Sequence, residues 1–316
     1  MIRIVQLAIL LQLVSVFSLS AQPDTVKVGS YVISVHDINF REKEYTARFW
    51  LWFTYANPEF DFSKQLDIPN AKTIETPEII MDSIDGKAWA IMKMKATMKE
   101  KWNVRDFPFD EQHLRIQIEN TLFDNKSLVF QPDVKGSQYD SEDALDGWII
   151  NDFRVSSGNN LYETGFGDSR PGRDKQIFST FLIELDIHRD ALGLFMKIFL
   201  GMYIAFLIAM ISFTPQPWEL EPRFGLPVGG LFAAVGNKYI IDSLLPETSA
   251  FTLVDTLHTI TFLGIFSTLV VSAIALKLYD TGRKEACLKV NRVGSRIVIA
   301  LYVIANMLFI GMAVLF

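Results

Sequence analysis

Residues 191–213 read "ALGLFMKIFLGMYIAFLIAMISF", an apolar run whose one charged residue, Lys197, lies near its start. About 20 apolar residues in a helix are enough to cross the hydrocarbon core of a bilayer. The chain changes character at this point, because the segments before it are polar overall and most of those after it are apolar. We therefore predict a membrane domain over residues 191–316.

Three more segments of the C-terminal part have the length of a membrane span. Residues 251–276 and 296–316 are predicted spans on hydropathy. Residues 224–245, "FGLPVGGLFAAVGNKYIIDSLL", contain Lys238 and Asp242, and contact with lipid would make these charges costly. The segment is therefore either a span sheltered by other helices and lining water, or one that lies on the surface or re-enters the membrane.

The N-terminus helps to decide between these alternatives. Residues 1–21 have a basic start, a short apolar run and small residues before the polar Gln22, which predicts a secretory signal peptide rather than an uncleaved anchor. With residue 22 outside and four spans, segment 277–296 is cytoplasmic, and it carries six basic and two acidic residues. Since short cytoplasmic loops are enriched in Lys and Arg, we predict four spans, the second at about 224–245.

Residues 22–190 show the alternation of apolar and polar residues that is typical of strands. In residues 113–118, "HLRIQI", every second residue is apolar. Turn residues separate the segments, and a Gly-rich loop is predicted at 158–173. The pattern predicts an antiparallel β-sandwich. The predicted strands are 30–38, 45–55, 88–98, 113–118, 127–132, 148–157 and 177–188.

The composition excludes several classes of function. The single cysteine, Cys287, excludes an intrachain disulfide, and the net charge of −6 argues against a nucleic-acid partner. The four histidines are scattered, and we find no paired-Cys metal spacing, nucleophile motif or phosphate-binding glycine loop. We expect no enzymatic activity, no metal site and no cofactor.

Several motifs, taken in order, resemble one subunit of the pentameric ligand-gated ion channels, and of these the prokaryotic branch that lacks the disulfide of the Cys-loop receptors. The resemblance covers about residues 25–316. It implies an extracellular immunoglobulin-like sandwich of about ten strands followed by a four-helix transmembrane domain. The motifs are "GSYVISVHDI" (29–38), "FWLWFTYANPEFDF" (49–62), "FPFDEQ" (107–112), "LDGWII" (145–150), Arg189 and "LLPE" (244–247).

The stretch "FPFD" resembles the family's signature loop, which would lie at the bottom of the sandwich against the membrane. A proline between two aromatic rings stiffens this loop, with a cis bond before the proline as one option. Asp110 and Arg189 would then form a charge pair that rearranges on ligand binding. Alternatively, Asp110 caps the backbone of its own turn. The predicted gating interface comprises Phe107, Pro108, Phe109, Asp110, Arg189 and Pro246.

By the same resemblance, the second span lines a five-fold pore. Glu221 would form an acidic ring that favours cations, and Phe232 a hydrophobic constriction that gates by dewetting, unless it only packs between helices. Two residues depart from this picture, since Pro227 is expected to break or kink the helix and Arg223 could cancel the acidic ring. The predicted pore-lining residues are Glu221, Gly225, Gly229, Phe232, Gly236, Tyr239 and Ser243.

The resemblance also implies a ligand site between subunits, beneath the loop that joins the last two strands. Tyr162 and Phe166 are its aromatic candidates, Trp50 is the residue that the neighbouring subunit would contribute, and Trp89 and Tyr139 could complete an aromatic box. Aromatic faces suit an ammonium ligand. The alternative for each is a core or surface aromatic residue without a ligand.

Two interpretations of function remain at this stage. The first is a subunit of a homopentameric ligand-gated channel in the plasma membrane (the inner membrane of a two-membrane cell), with four identical subunits, permeant cations, a small ligand such as an amine or protons, and the lipid bilayer as partners. The second is a pentameric membrane-anchored sensor with little conduction. His258, in the third span, is either a hydrogen-bonding residue of the bundle interior or a proton switch.

Overall fold

The computed structural model describes residues 22–142, 145, 147–168, 170 and 173–315. The predicted signal peptide lies outside these residues. The described N-terminal part forms eleven strands and a single helical turn, Phe62–Gln65. The strands are β1 (Asp24–Asn39), β2 (Glu44–Tyr55), β3 (Leu66–Asp67), β4 (Ala71–Ile74), β5 (Glu78–Ile84), β6 (Lys87–Lys99), β7 (Glu111–Asn120), β8 (Leu128–Pro132), β9 (Gln138–Tyr139), β10 (Trp148–Tyr162) and β11 (Gln176–Arg189).

The strands form two sheets that pack as a sandwich. One sheet has the order β4-β6-β2-β1-β8, with β5 beside β6 and β9 beside β1, and the other has the order β10-β11-β7-β3. Alternate residues point into the core, as in β7, where Leu114, Ile116 and Ile118 are all buried. Each fully buried apolar side chain of this size stabilises the fold by about 1.5–3 kcal/mol. The predicted sandwich is therefore present, although β8 and β9 pair with β1 in parallel and not antiparallel.

The strand before the predicted ligand loop is longer than the sequence indicates. β10 and β11 pair without interruption from Ser156–Leu182 to Tyr162–Gln176, and Gly158 lies opposite Thr180. The Gly-Asn-Asn stretch predicts a loop because these residues have low strand propensity. A continuous ladder on β11 overrides that propensity, so the loop begins at Glu163.

Four long helices follow, and by length and composition each can span a membrane. They are α1 (Ala191–Ile211), α2 (Leu220–Asp242), α3 (Leu253–Asp280) and α4 (Lys284–Leu315). The second helix begins at 220 and the fourth at 284, whereas the predicted apolar runs begin at 224 and 296. Backbone hydrogen bonds continue a helix through polar residues, whereas hydropathy marks only the part that suits lipid.

Candidate functional site

α2 has two faces of opposite character. The buried face packs against the other helices and comprises Arg223, Pro227, Gly230, Ala234 and Ile241. The opposite face is uncovered in the single chain, where Phe232 is 73% and Tyr239 is 78% exposed. A Cβ atom built at Gly225, Gly229 or Gly236 would have no neighbour within 4 Å.

All seven predicted pore-lining residues lie on this uncovered face. Their spacing of three or four residues follows the helical period, so they form one stripe along α2. They are Glu221, Gly225, Gly229, Phe232, Gly236, Tyr239 and Ser243, and each is exposed. We call this set the α2 stripe.

Arg223 does not lie beside the acidic residue of the stripe, contrary to the expectation that it could cancel the acidic ring. Its side chain is fully buried on the opposite face. The guanidinium donates to the Pro215 carbonyl at 3.3 Å, to Ser272 Oγ at 3.3 Å and to Asn291 Oδ1 at 2.6 Å. These acceptors lie on the α1–α2 connection, α3 and α4, so one side chain ties α2 to all three.

Pro227 does not break α2, which is helical from Leu220 to Asp242. The proline is buried between helices, where its missing N–H costs one hydrogen bond without exposing the backbone to lipid.

The charges near the sandwich end of α2 are paired. Lys238 Nζ lies 2.8 Å from Asp242 and 2.7 Å from Asp255 on α3. Asp255 also accepts from the Thr252 N–H as part of a capping box at the start of α3. The ammonium that made this segment ambiguous is therefore satisfied by carboxylates on two helices, as intramembrane charges require.

Two adjacent glycines of α2 offer a matched pair of substitutions. A Cβ at Gly230 would lie 2.6 Å from the Ala205 carbonyl oxygen of α1, whereas a Cβ at Gly229 would meet nothing. We expect Gly230→Ala to push the two helices apart and lower the thermal stability of the detergent-solubilised protein. Gly229→Ala should be neutral or stabilising by up to about 1 kcal/mol, because alanine favours helix. Equal destabilisation by both would mean that a neighbour covers Gly229.

At the membrane end of the sandwich, Arg189 is enclosed by aromatic rings. Its guanidinium carbon lies 3.9 Å from the centroid of Trp148, 4.9 Å from Phe40 and 5.1 Å from Phe107. The Phe107–Pro108 bond is cis. Three rings around one cation form a cation–π cage that holds the last residue of β11 at the start of α1.

Asp110 lies against this cage and is only 3% exposed. Its Oδ2 accepts from Arg189 at 3.4 Å and from the Gln112 side chain at 2.6 Å, whereas Oδ1 has no hydrogen-bond partner. Burial raises the pKa of Asp110, and this outweighs the opposing attraction of Arg189. Burial likewise lowers the pKa of Arg189, although Asp110 opposes this shift.

The raised pKa of Asp110 gives a pH dependence with a definite sign. The folded chain binds this proton more tightly than the unfolded chain, so protonation of Asp110 favours folding. This contribution to the stability of the fold is complete below the ordinary pKa of an aspartate. It is lost as the pH rises through the raised pKa of Asp110. We expect the thermal stability of the wild type to fall relative to Asp110→Asn across this window. A difference in melting temperature between the two proteins that is the same at every pH would contradict a raised pKa of Asp110.

The loop that carries these residues touches two membrane helices. The Leu253 N–H, at the start of α3, donates to the Arg105 carbonyl at 2.7 Å. The Phe109 ring lies 5.5 Å from Phe195 on α1. Pro246, in the α2–α3 connection, is buried. A displacement of the loop would therefore reach α1 and α3 directly.

Tyr162 and Phe166 lie together at the far end of β10. Their ring centroids are 5.4 Å apart, and Tyr162 also packs edge-on against Phe178 at 5.7 Å. Phe166 is 61% exposed. The Phe166 ring therefore presents much of its surface to solvent beside Tyr162.

Sequence reasoning missed a carboxylate beneath these rings, Glu119. It is 2% exposed and accepts from Tyr162 Oη at 2.9 Å, from Asn160 Nδ2 at 2.9 Å and from the Gln117 amide. Burial and this carboxylate raise the pKa of Tyr162 to about 12. The alternation of β7 placed Glu119 on the outer, non-core face of the strand, and only pairing with β3 and the cover of β10 bury it.

The other three predicted ligand residues do not join this pair within the subunit. Trp50 on β2 and Trp89 on β6 are half-buried on the other sheet, where Lys93 Nζ lies 5.5 Å from the Trp50 ring. Tyr139, on β9, packs against Phe153 at 5.5 Å. A site that uses Trp50 with Tyr162 would need two subunits.

No protein-family model matches the chain. The chain is 22% identical over 249 residues, 72% of its length, to a protein of Gloeobacter violaceus (strain ATCC 29082 / PCC 7421) named "Proton-gated ion channel". The match spans 66% of that protein's length. The β-sandwich, the four apolar helices and this weak similarity together describe a multi-pass membrane protein that is similar in sequence to an ion channel.

Proposed function

We propose that this chain is one subunit of a homopentameric, ligand-gated, cation-conducting channel. The observation that carries the proposal is the α2 stripe, an uncovered helix face whose opposite side is fixed by the bundle. Besides two aromatic rings, the stripe carries three glycines, a carboxylate and a serine hydroxyl, and an unpaired carboxylate suits a water-filled space better than lipid. Five copies around an axis would put the stripe on the lumen.

In this proposal, residues 1–21 are removed, the sandwich 22–190 lies outside the plasma membrane and the four-span domain 191–316 forms the pore. Glu221 rings the inner mouth, and Phe232 closes the pore at mid-height. The uncovered position of both side chains supports these roles. Arg223 supports them indirectly, because its bonds to three other segments hold α2 in the rotation that turns Glu221 outward from the bundle.

The ligand would bind between subunits, at Tyr162 and Phe166 of one and Trp50 of the next, with Trp89 and Tyr139 as further candidates. Glu119 supports a cationic ligand, since its carboxylate accepts from the Tyr162 hydroxyl and, among the described residues, forms no ion pair with a basic side chain. A positively charged amine suits both this carboxylate and the faces of the aromatic rings. Its binding would move the sandwich against α1 through the Arg189 cage.

Purified protein in a planar bilayer, screened with amines and over pH, tests the function. Ligand-dependent current supports the channel. A correctly assembled pentamer that binds an amine but stays electrically silent would support the non-conducting sensor instead.

Glu221→Gln tests the acidic ring. We expect the five neutral amides to move the reversal potential in a KCl gradient towards zero, because the ring no longer attracts cations. Glu219→Gln is the matched control, since Glu219 is exposed two residues earlier and lies off the stripe. If the cation selectivity of Glu221→Gln is unchanged, Glu221 does not line the pore.

A further inference from the structure

His258 on α3 is fully buried where α1, α2 and α3 meet. Its Nδ1 lies 2.8 Å from the Val254 carbonyl oxygen, and its Nε2 lies 3.1 Å from Asn237 Oδ1 on α2. The Asn237 amide in turn donates from Nδ2 to the Ile198 carbonyl of α1 at 3.1 Å. These groups form one chain of contacts across the three helices.

The contacts can be satisfied in only one protonation state. Both ring nitrogens face oxygen acceptors, and a neutral imidazole has one N–H. Either neutral tautomer therefore leaves a lone pair against a carbonyl oxygen. Turning the Asn237 amide over does not help, because its oxygen would then face the Ile198 carbonyl. An imidazolium with two N–H groups completes every bond.

The charged groups near His258 carry one excess negative charge in sum. α2 contributes Lys238 and Asp242, and α3 contributes Asp255, so two carboxylates surround one ammonium and leave one negative charge in excess. The contacts from α1 are the Ile198 carbonyl and the Phe199 ring, whose centroid is 5.9 Å away, while Lys197 is exposed. From α4, Tyr302 reaches α3 one turn further on, at Thr261.

We propose that His258 and Asn237, with the carbonyls of Val254 and Ile198, form a proton-binding site that ties the pore helix to α1 and α3 when it is occupied. The ligand is a single proton, and the bond that it adds is Nε2–H to Asn237 Oδ1. Loss of that proton leaves two acceptors facing each other and weakens the hold of α3 on α2. The consequence for current rests on the proposed function, whereas the binding itself does not.

The site is also in physical contact with the sandwich. Phe109 packs against Phe195, Phe195 against Phe199 at 4.8 Å, and Phe199 against His258. A contiguous row of rings therefore runs from the loop beneath the Arg189 cage to the proton site. Proton binding at His258 is thereby placed to change the equilibrium that a ligand on the sandwich also changes.

Solid-state NMR of the ¹⁵N-histidine-labelled full-length protein in lipid tests the site directly, because the chain has only four histidines. We expect the signal that is missing in His258→Gln to convert between the neutral and the doubly protonated form as the pH is lowered from 8 to 4. If that variant fails to assemble, single substitutions of the other three histidines assign the signal by elimination. A His258 that keeps one neutral tautomer over the whole range would overturn the proposal.

Two substitutions of Asn237 should move the pH midpoint of the His258 titration in opposite directions. Asn237→Asp places a carboxylate at Nε2 and should raise the midpoint by about 1–3 pH units, whereas Asn237→Leu removes the acceptor and should lower it. His113→Gln is the control, because this exposed histidine lies on the sandwich beside Asp186. Midpoints that do not respond to either Asn237 variant would refute the pairing.

Bilayer currents separate this inference from the proposed function. If the His258 midpoint shifts in the Asn237 variants but the protein never conducts, the proton site is supported and the channel is rejected. Currents from a protein whose His258 does not titrate would retain the channel and reject the proton site.

Discussion

Phe232→Ser is expected to make the resting pore leak. In the proposed pore, five phenyl rings at mid-height would exclude water from a narrow, apolar constriction, and ions cannot cross a dry segment. Hydroxyls in their place would hold water, so current should flow without ligand. An increase in resting current on the order of tenfold would correspond to about 1.4 kcal/mol of shift towards the conducting state.

Phe232→Leu is the matched control for this prediction, since leucine is smaller but remains apolar. We expect it to stay closed at rest. Phe232 is 73% exposed in the single chain, so in a pentamer its ring faces either the lumen or a helix of the neighbouring subunit. A silent Phe232→Ser pentamer of normal size would assign the ring to packing between subunits and favour the sensor.

Arg189→Gln is expected to be the most destabilising single change at the membrane end of the sandwich. Removing one partner of a buried ion pair leaves the other charge buried and unpaired, which typically costs about 3–5 kcal/mol. Here the remaining charge would be Asp110, which has one orphan oxygen already and would keep only Gln112. The rings of Phe40, Phe107 and Trp148 would also lose their cation.

Substitution of the other partner, Asp110→Asn, should cost less stability. In Asp110→Asn the arginine keeps its three rings, so its charge is not stranded. The double variant should be more stable than Arg189→Gln alone, because it removes the unpaired carboxylate. Thermal unfolding of the four proteins forms a double-mutant cycle, and additive losses would show that the 3.4 Å contact between Asp110 and Arg189 carries no coupling.

The same cycle measured on ligand-evoked current separates stability from gating. If the pair transmits motion from the sandwich to α1, the single variants should lose evoked current at temperatures where the pentamer is intact. Unchanged evoked current in both would restrict the pair to a structural role.

Local patterns in the sequence predict the longer elements of this fold, whereas the strands β3, β4, β5 and β9 are not predicted. Alternation along residues 113–118 is enough to identify β7, because a strand repeats every two residues and one face is buried. Length and hydropathy are enough to identify three spans, because lipid offers no partner to polar groups. The span at 224–245 needs the basic segment 277–296 and the positive-inside rule as well. The helical period also places Glu221, Phe232 and Tyr239 on one stripe.

Other features depend on residues that are far apart in the sequence. Arg223 is two positions from Glu221, and nothing local shows that it turns inward to Pro215, Ser272 and Asn291. The burial of Glu119 depends in the same way on β3 and β10. Hydropathy reports the average surroundings of a residue, whereas hydrogen-bond partners are set by which segments meet in space.

His258 illustrates the division most clearly. From the sequence, a lone histidine in a membrane span was open to two interpretations, a structural group or a proton switch. The sequence by itself determined that the side chain would be sheltered from lipid, since an imidazole is costly in hydrocarbon. Only the tertiary structure decided that both nitrogens face acceptors from α2 and α3, because the protonation that a buried group needs is set by the atoms brought against it.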